Sequence, residues 1–266
     1  MAQSPRVLVI GGTGRLGGRV VPLLRDAGCE VRVLTRHAHE TKNGVEYLTG
    51  DLSKDEGILV GVNGAAVIVN CAGNAKGDAQ QARNLVRAAM QAGSPHLVCV
   101  SVAGADRIPV ASAVDRAMFG YFGAKLEAER VVADSGLPWT TLRPTQFHDA
   151  FLIVAQQMVK LPVIPVPAGF RFQPVDTAEV AARLVQLALG TPAGLVPEIA
   201  GPRIYGMADL VRGYLRARGK HRMMVPVWIP GKAASAVRAG ANLAPEHAVG
   251  QRTWEDFLAE RVLTGT

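Results

Sequence analysis

Three cysteines in 266 residues are too few and too scattered for a disulfide framework. Cys29, Cys71 and Cys99 are odd in number and sit in apolar surroundings, which reads as buried thiols in a reducing compartment. The six histidines show no metal-ligand spacing, so no metal site is expected. No apolar run approaches the roughly 18 residues of a membrane span. The opening "MAQSPR" passes straight into a strand-like segment without the apolar core of a signal peptide. A soluble cytoplasmic protein with no membrane partner is the expectation. Internal repeats and low-complexity linkers are also missing, so no domain boundary is legible.

Acid is scarce in one place. Residues 203–238 hold eight Arg or Lys against one acid, Asp209, and the rest of the chain, with net charge +7 overall, is close to neutral. The stripe lacks the interleaved aromatics and the motif of a nucleic-acid binder, so a solvated basic face is expected and nucleic acid is not.

What is present is apolar alternation. At 48% hydrophobic the chain can bury one large α/β core. Val, Leu and Ile collect near 6–10, 31–35, 66–70, 97–101 and 138–142, the lengths of buried strands, and "VEYLTGDL" at 45–52 adds another, followed by a short helix in "SKDEGILVGV". Between them, Leu16 to Ala27, Gln80 to Ala92 and Ala113 to Ser135 carry helical periodicity, with Gly28, Gly93 and Gly136 placed to end each helix. The alternation predicts a doubly wound, mostly parallel sheet. After Arg143 the rhythm weakens into the Pro-rich stretches "KLPVIPVPAGF" and "MMVPVWIPGK", which read as loops, with helices near 177–189 and 207–218. A division into 1–145 and 146–266 is a convenience within one integrated domain, the second part capping the sheet.

The stretch "VLVIGGTGRLGGRV" stops a good strand with five glycines. Gly11, Gly14 and Gly17 stand in G-x-x-G-x-x-G spacing between strand and helix. The first permits the tight turn, the second lets a pyrophosphate approach the backbone, and the third allows close helix packing. A helix starting near Arg15 would aim its free N–H groups at the phosphates. In dinucleotide sites of this kind, an acid about 20 residues on holds a ribose 2′-hydroxyl and an arginine holds a 2′-phosphate. Here "VRVLTRH" offers no acid and ends on Arg36, with Arg15 as a second guanidinium, so NADP(H) is favoured over NAD(H).

In order along the chain, "VIGGTGRLGGRV", "VLTR", "GDL", "NCAG", "YFGAK", "GLPWTTLRPTQFHD" and "VDTAEVA" resemble the NmrA-like, atypical short-chain dehydrogenase/reductases. The resemblance implies a Rossmann core of strand order 3-2-1-4-5-6-7 with a small C-terminal substrate-binding region. It implies that Gly11, Thr13, Gly14, Arg15, Leu16 and Gly17 hold the dinucleotide, that Asp51 and Leu52 flank the adenine, and that Cys71, Ala72 and Gly73 pass along its ribose. Pro144, Thr145 and Phe147 would lie near the nicotinamide, and Asp176 would brace the substrate lobe.

Tyr121 and Lys125 are four apart in a helical stretch and project from one face. In the reductases resembled, the tyrosine is general acid or base, the lysine lowers its pKa and holds the nicotinamide ribose, and a serine, here Ser101, orients the substrate carbonyl. A free phenol near pKa 10 needs such an ammonium to work at neutral pH. Other readings are open: Tyr121 as core among Phe119 and Phe122, and Lys125 pairing with Glu129 on a wet surface. His148 reads as a proton shuttle or as a loop histidine satisfied by Asp149. Phe147, Phe151, Met158, Phe170 and Trp228 shape a substrate pocket or belong to the core.

Three functions fit. The first is NADP(H)-dependent reduction of a carbonyl, quinone or similar small molecule. The second is non-catalytic NADP(H) sensing with a protein partner, kept alive by the basic stripe. The third, nucleotide-sugar epimerisation, fits less well because the C-terminal region is short. A homodimer is compatible with all three.

Overall fold

The strand and helix rhythm of the first half is realised element by element in the computed structural model, which describes residues 4–73 and 77–263. In chain order come β1 (Arg6–Ile10), α1 (Gly17–Asp26), β2 (Glu30–Thr35), β3 (Glu46–Thr49), α2 (Ile58–Val62), β4 (Val67–Asn70), α3 (Asp78–Gln91), β5 (His96–Val100), α4 (Ala113–Ala133) and β6 (Trp139–Leu142). The second half adds α5 (His148–Met158), β7 (Val163–Pro167), β8 (Arg171–Phe172), α6 (Thr177–Leu189), β9 (Gly194–Leu195), β10 (Tyr205–Gly206), α7 (Met207–Ala217), β11 (Met223–Val227), α8 (Lys232–Arg238) and α9 (Trp254–Leu263). Gly28, Gly93 and Gly136 take φ of +83°, +96° and +74° just past three of the helices, the left-handed turn that an L side chain resists. Among the described residues no helix is long and apolar enough to cross a membrane.

The chain divides into two compact units, each assembled from three stretches. The first comprises Met1–Ser101, Ala124–Leu142 and Ala178–Pro197; the second comprises Val102–Gly123, Arg143–Thr177 and Glu198–Thr266. The expected cut near residue 145 was single, whereas the backbone passes from one unit to the other several times.

The first unit holds a seven-stranded sheet of order β3-β2-β1-β4-β5-β6-β9, every pairing parallel. This is the α/β, Rossmann-type doubly wound arrangement, with the seventh strand reduced to Gly194 and Leu195. Val7, Leu8 and Val9 at its middle are wholly buried, as are Leu85 and Ala89 on α3 and Leu97 on β5. Because β2 and β4 flank β1 on opposite sides, the connections diverge there. Ligands of such sheets bind at that switch, beyond the carboxyl ends of the strands.

The second unit corrects two expectations. Both Pro-rich stretches are strands: β7 and β11 pair in parallel, Met223 opposite Val163 through Val227 opposite Pro167. A two-stranded sheet leaves one edge of each strand unpaired, the only place where a proline's missing N–H breaks no ladder. The second correction is His148. It opens α5 with no exposed surface and is stacked with Trp254 and Phe257 at ring centroids of 6.0 and 5.1 Å. Neither ring nitrogen has a hydrogen-bond partner among the described residues. Asp149 does not satisfy it; that carboxylate accepts from the Thr177 hydroxyl at 2.8 Å instead.

Phe151 and Phe170 belong to this unit's core, while Trp228 is 65% exposed and belongs to neither core nor closed pocket. Asp176 is buried and paired with Arg252 at 2.8 Å, the contact of a brace.

Candidate functional site

The loop from β1 to α1 is built around glycine for reasons visible in its packing. Gly11 sits at φ +75°, and a Cβ there would meet the Ala72 nitrogen at 2.9 Å; a Cβ on Gly17 would fall on the Gly11 carbonyl oxygen. Gly11 thus lets the loop lie against the backbone after β4, and Gly17 folds it onto its own backbone, closed by Gly14 N–H donating to the Gly11 carbonyl at 2.9 Å. Gly14 differs. Its only close neighbour is that same carbonyl at 3.2 Å, so its open side faces the cleft it lines. α1 begins at Gly17 rather than near Arg15 and carries no acid in its first turn. Its positive end is therefore uncompensated by any side chain of that turn.

The cleft, of about 1040 Å³, runs beyond the carboxyl ends of the strands of the first unit. It is lined by Gly11, Thr13 and Gly14 after β1, by Arg36 and His37 after β2, by Asp51 and Leu52 after β3, and by Cys71, Ala72 and Gly73 after β4. Nine of the residues expected to hold a dinucleotide from Gly11 through Gly73 thus share one wall. Arg36 is exposed and makes no side-chain hydrogen bond or ion pair among the described residues. Arg15, also exposed, is not brought to the lining, and Leu16 is buried beneath the loop. The Asp51 carboxylate accepts the Ser53 N–H at 2.8 Å, and Gln81 of α3 donates to the Ser53 hydroxyl at 3.0 Å.

Ala72 and Gln81 also line a second, much tighter cavity. Here Lys125 of α4 is buried, its ammonium 3.1 Å from the Asp78 carboxylate and donating to the Val100 carbonyl at 3.2 Å. The ammonium is therefore buried and not on a wet surface. A Cβ on Gly73 would collide with that ammonium, so a larger residue there would displace the end of the lysine side chain. Ser101, at the end of β5, lines the same cavity with its hydroxyl buried and without a hydrogen-bond partner among the described residues. Desolvation pushes the Cys71 and Cys99 thiols up to about 12, leaving both neutral and unreactive beside this ammonium.

Four expected site residues lie in the second unit. Tyr121 is 38% exposed on α4, edge-on to Phe122 at 6.1 Å. Pro144 bridges to Ile199, and the Thr145 hydroxyl donates to the Gln173 carbonyl at 2.5 Å, so it is engaged within its own unit. Phe147 precedes α5 as its cap residue.

Asp78 is the group that sequence reasoning missed. The helix was expected from Gln80, and an acid just ahead of it reads as a dipole partner; only the fold brings it to Lys125. A trace was available in its place, since it directly follows the turn after the fourth strand.

The residues present fit a pyridine dinucleotide. A backbone cradle that a Cβ would fill opens beside a helix N-terminus, an exposed arginine follows the second strand, and a buried hydroxyl without a partner among the described residues lies one cavity away.

A family model described as NAD(P)H-binding matches residues 11–188. The NAD(P)H azoreductase of Xenophilus azovorans is 27% identical over 80% of this chain and 74% of its own length. A (4-alkanoyl-5-oxo-2,5-dihydrofuran-3-yl)methyl phosphate reductase of Streptomyces griseus is 30% identical over 74% of this chain and 68% of its own. Among solved structures, an NADPH-dependent quinone oxidoreductase of Escherichia coli in complex with NADPH superposes with a TM-score of 0.80 at 18% identity, covering 96% of this chain and 99% of that one. That likeness is one of fold.

Proposed function

Because this chain belongs to the NAD(P)H-binding family, whose curated relatives include reductases, we propose that it is an NADP(H)-dependent oxidoreductase. Its substrate would be a carbonyl, quinone or similarly conjugated small molecule. The observation that carries the reading is the glycine-walled cleft whose lining, among the described residues, includes the exposed Arg36 directly after β2, where no acid stands. NADPH, when bound, supplies the hydride.

The protein's own residues bind and orient. Gly11, Gly14 and the α1 N-terminus receive the pyrophosphate, and Arg36 receives the 2′-phosphate through charge-assisted hydrogen bonds. Asp51 and Leu52 flank the adenine, and Cys71, Ala72 and Gly73 pass its ribose. Lys125, held by Asp78 and the Val100 carbonyl, is assigned to the nicotinamide ribose, with Pro144, Thr145 and Phe147 near the nicotinamide. Tyr121, one helical turn earlier on α4, gives the proton to the reduced atom, and the unpartnered Ser101 hydroxyl steadies the substrate oxygen. The names of the azoreductase and furanone phosphate reductase support a conjugated, electron-poor acceptor. We also place the protein in the cytoplasm, where its free thiols stay reduced.

Two variants test this. Arg36→Ala is expected to weaken NADPH binding by about tenfold or more while leaving NADH binding as it was, from the loss of charge-assisted bonds worth about 1.5–3 kcal/mol. An unchanged preference overturns the cofactor assignment. Tyr121→Phe is expected to lower kcat for NADPH oxidation against a carbonyl and quinone panel by about 10²–10⁴-fold with cofactor binding intact. Saturable NADPH binding without turnover of any acceptor by the native protein would favour a nucleotide sensor.

A further inference from the structure

The site leaves the basic stripe of residues 203–238 unused, and the fold gives it a neighbour that the sequence hides. β7 and β11 run parallel in register, so Val163, Pro165 and Pro167 stand beside Met223, Val225 and Val227 on one face. On the opposite face Ile164 and Val166 are buried and Met224 packs with them, while Pro226 near its far end is exposed. The outer face should therefore be the polar one, yet it carries no polar side chain. Met223 is 64% exposed, and Val163, Val225 and Val227 are exposed as well. Trp228 follows directly at 65% exposure, with the Arg238 guanidinium 3.8 Å from its ring centre.

Both strands start at the same end, and that end is cationic. Lys160, Arg218, Lys220 and Arg222, all exposed, line a groove there with Gln156 and Gln157. No acid occurs anywhere in residues 150–175 or 210–245, the two segments that supply the face and the groove. An aliphatic face with an exposed tryptophan at one end and uncompensated cations at the other is the chemistry of a protein that rests on a charged bilayer.

We propose that the outer face of β7 and β11 docks on an anionic lipid surface, the cations meeting the headgroups and Val225, Val227 and Trp228 entering the headgroup boundary. A second copy is a poor occupant, because neither orientation of a two-fold contact through this face brings an acid from residues 150–175 or 210–245 to the cations of the other copy. A nucleic-acid backbone would use the cations but not the aliphatic face. The exclusion of a membrane span on the grounds of run length does not touch this surface, since its two strands lie about 60 residues apart in the chain.

The test is sedimentation of the full chain with vesicles of phosphatidylcholine alone or mixed with phosphatidylglycerol. Binding to the mixed vesicles only is expected, weakening with salt and accompanied by a blue shift of tryptophan emission that disappears in Trp228→Phe. At about 1 kcal/mol per basic residue near such a surface, Lys220→Glu with Arg222→Glu should reduce binding at least 25-fold. Val225→Asp should abolish insertion and its blue shift. A far-UV circular dichroism spectrum and a thermal unfolding midpoint like those of the native protein in each variant show that the chain has folded. Equal binding to both vesicle types, no binding to either, a dimer formed in place of vesicle binding, or retention on duplex DNA that survives Val225→Asp would each overturn the proposal.

Discussion

Two of the buried basic side chains, one in each compact unit, are accommodated in opposite ways. Lys125 in the first unit meets the Asp78 carboxylate and the Val100 carbonyl. His148 in the second lies between Trp254 and Phe257 with no hydrogen-bond partner at either nitrogen among the described residues. An ammonium has no cheap way out of its charge, so it keeps a counter-ion. An imidazole escapes by giving up its proton. Desolvation, aided by the Arg252 charge, brings His148 down to about 4 against the opposing pull of Asp176, Asp149 and Glu255. The first arrangement keeps a buried charge beside its counter-ion; the second contributes ring stacking to a core.

The comparison breaks most sharply at Asp78. Asp78→Ala leaves the Lys125 ammonium buried without its carboxylate and is expected to cost about 3–5 kcal/mol, read from denaturant unfolding. Asp78→Leu combined with Lys125→Met should recover much of that loss while leaving NADPH turnover low. A double variant no more stable than Asp78→Ala would show that the pair is not what holds this region.

His148 should reveal itself through pH. The unfolded chain, with imidazole near 6.5, binds the proton before the folded chain does. Stability contributed by the neutral ring is therefore complete above about pH 6.5, falls by about 3 kcal/mol towards pH 4, and changes no further below it. His148→Phe keeps the stacking and should flatten this part of the pH–stability curve. A slope unaltered by the substitution would assign the acid sensitivity to other groups.

The smallest effect is expected where both partners are wet. Arg212 and Asp209 pair at 2.6 Å across one turn of α7 with about half of each side chain exposed. Arg212→Ala should change unfolding free energy by no more than about 0.5 kcal/mol, and less in high salt. A larger loss would mean that exposure is a poor guide to the value of ion pairs in this chain.

Much of the first unit was readable in advance because its rules are local. Apolar runs of strand length, helical periodicity and Gly28, Gly93 and Gly136 all act within a few residues of themselves, and the elements fall where these signals stand. The cleft wall was readable for the same reason: each of its segments directly follows a strand. The second unit was less so. Pro165, Pro167 and Pro226 disguise two strands as loops, because proline's cost depends on whether a neighbour needs its N–H, and that is a property of the sheet edge. His148 looked like a loop histidine because nothing local announces the rings of residues more than 100 positions away.

From order and spacing alone came the parallel α/β architecture, the glycine turn after β1 and the absence of an acid after β2, since steric and hydrogen-bonding limits of the backbone act on neighbours in the chain. Folding was needed to bring Asp78 to Lys125, to leave the Ser101 hydroxyl without a partner and to set Val163 beside Met223. Burial and charge pairing are energies of encounter between distant segments, and no window of sequence contains both parties.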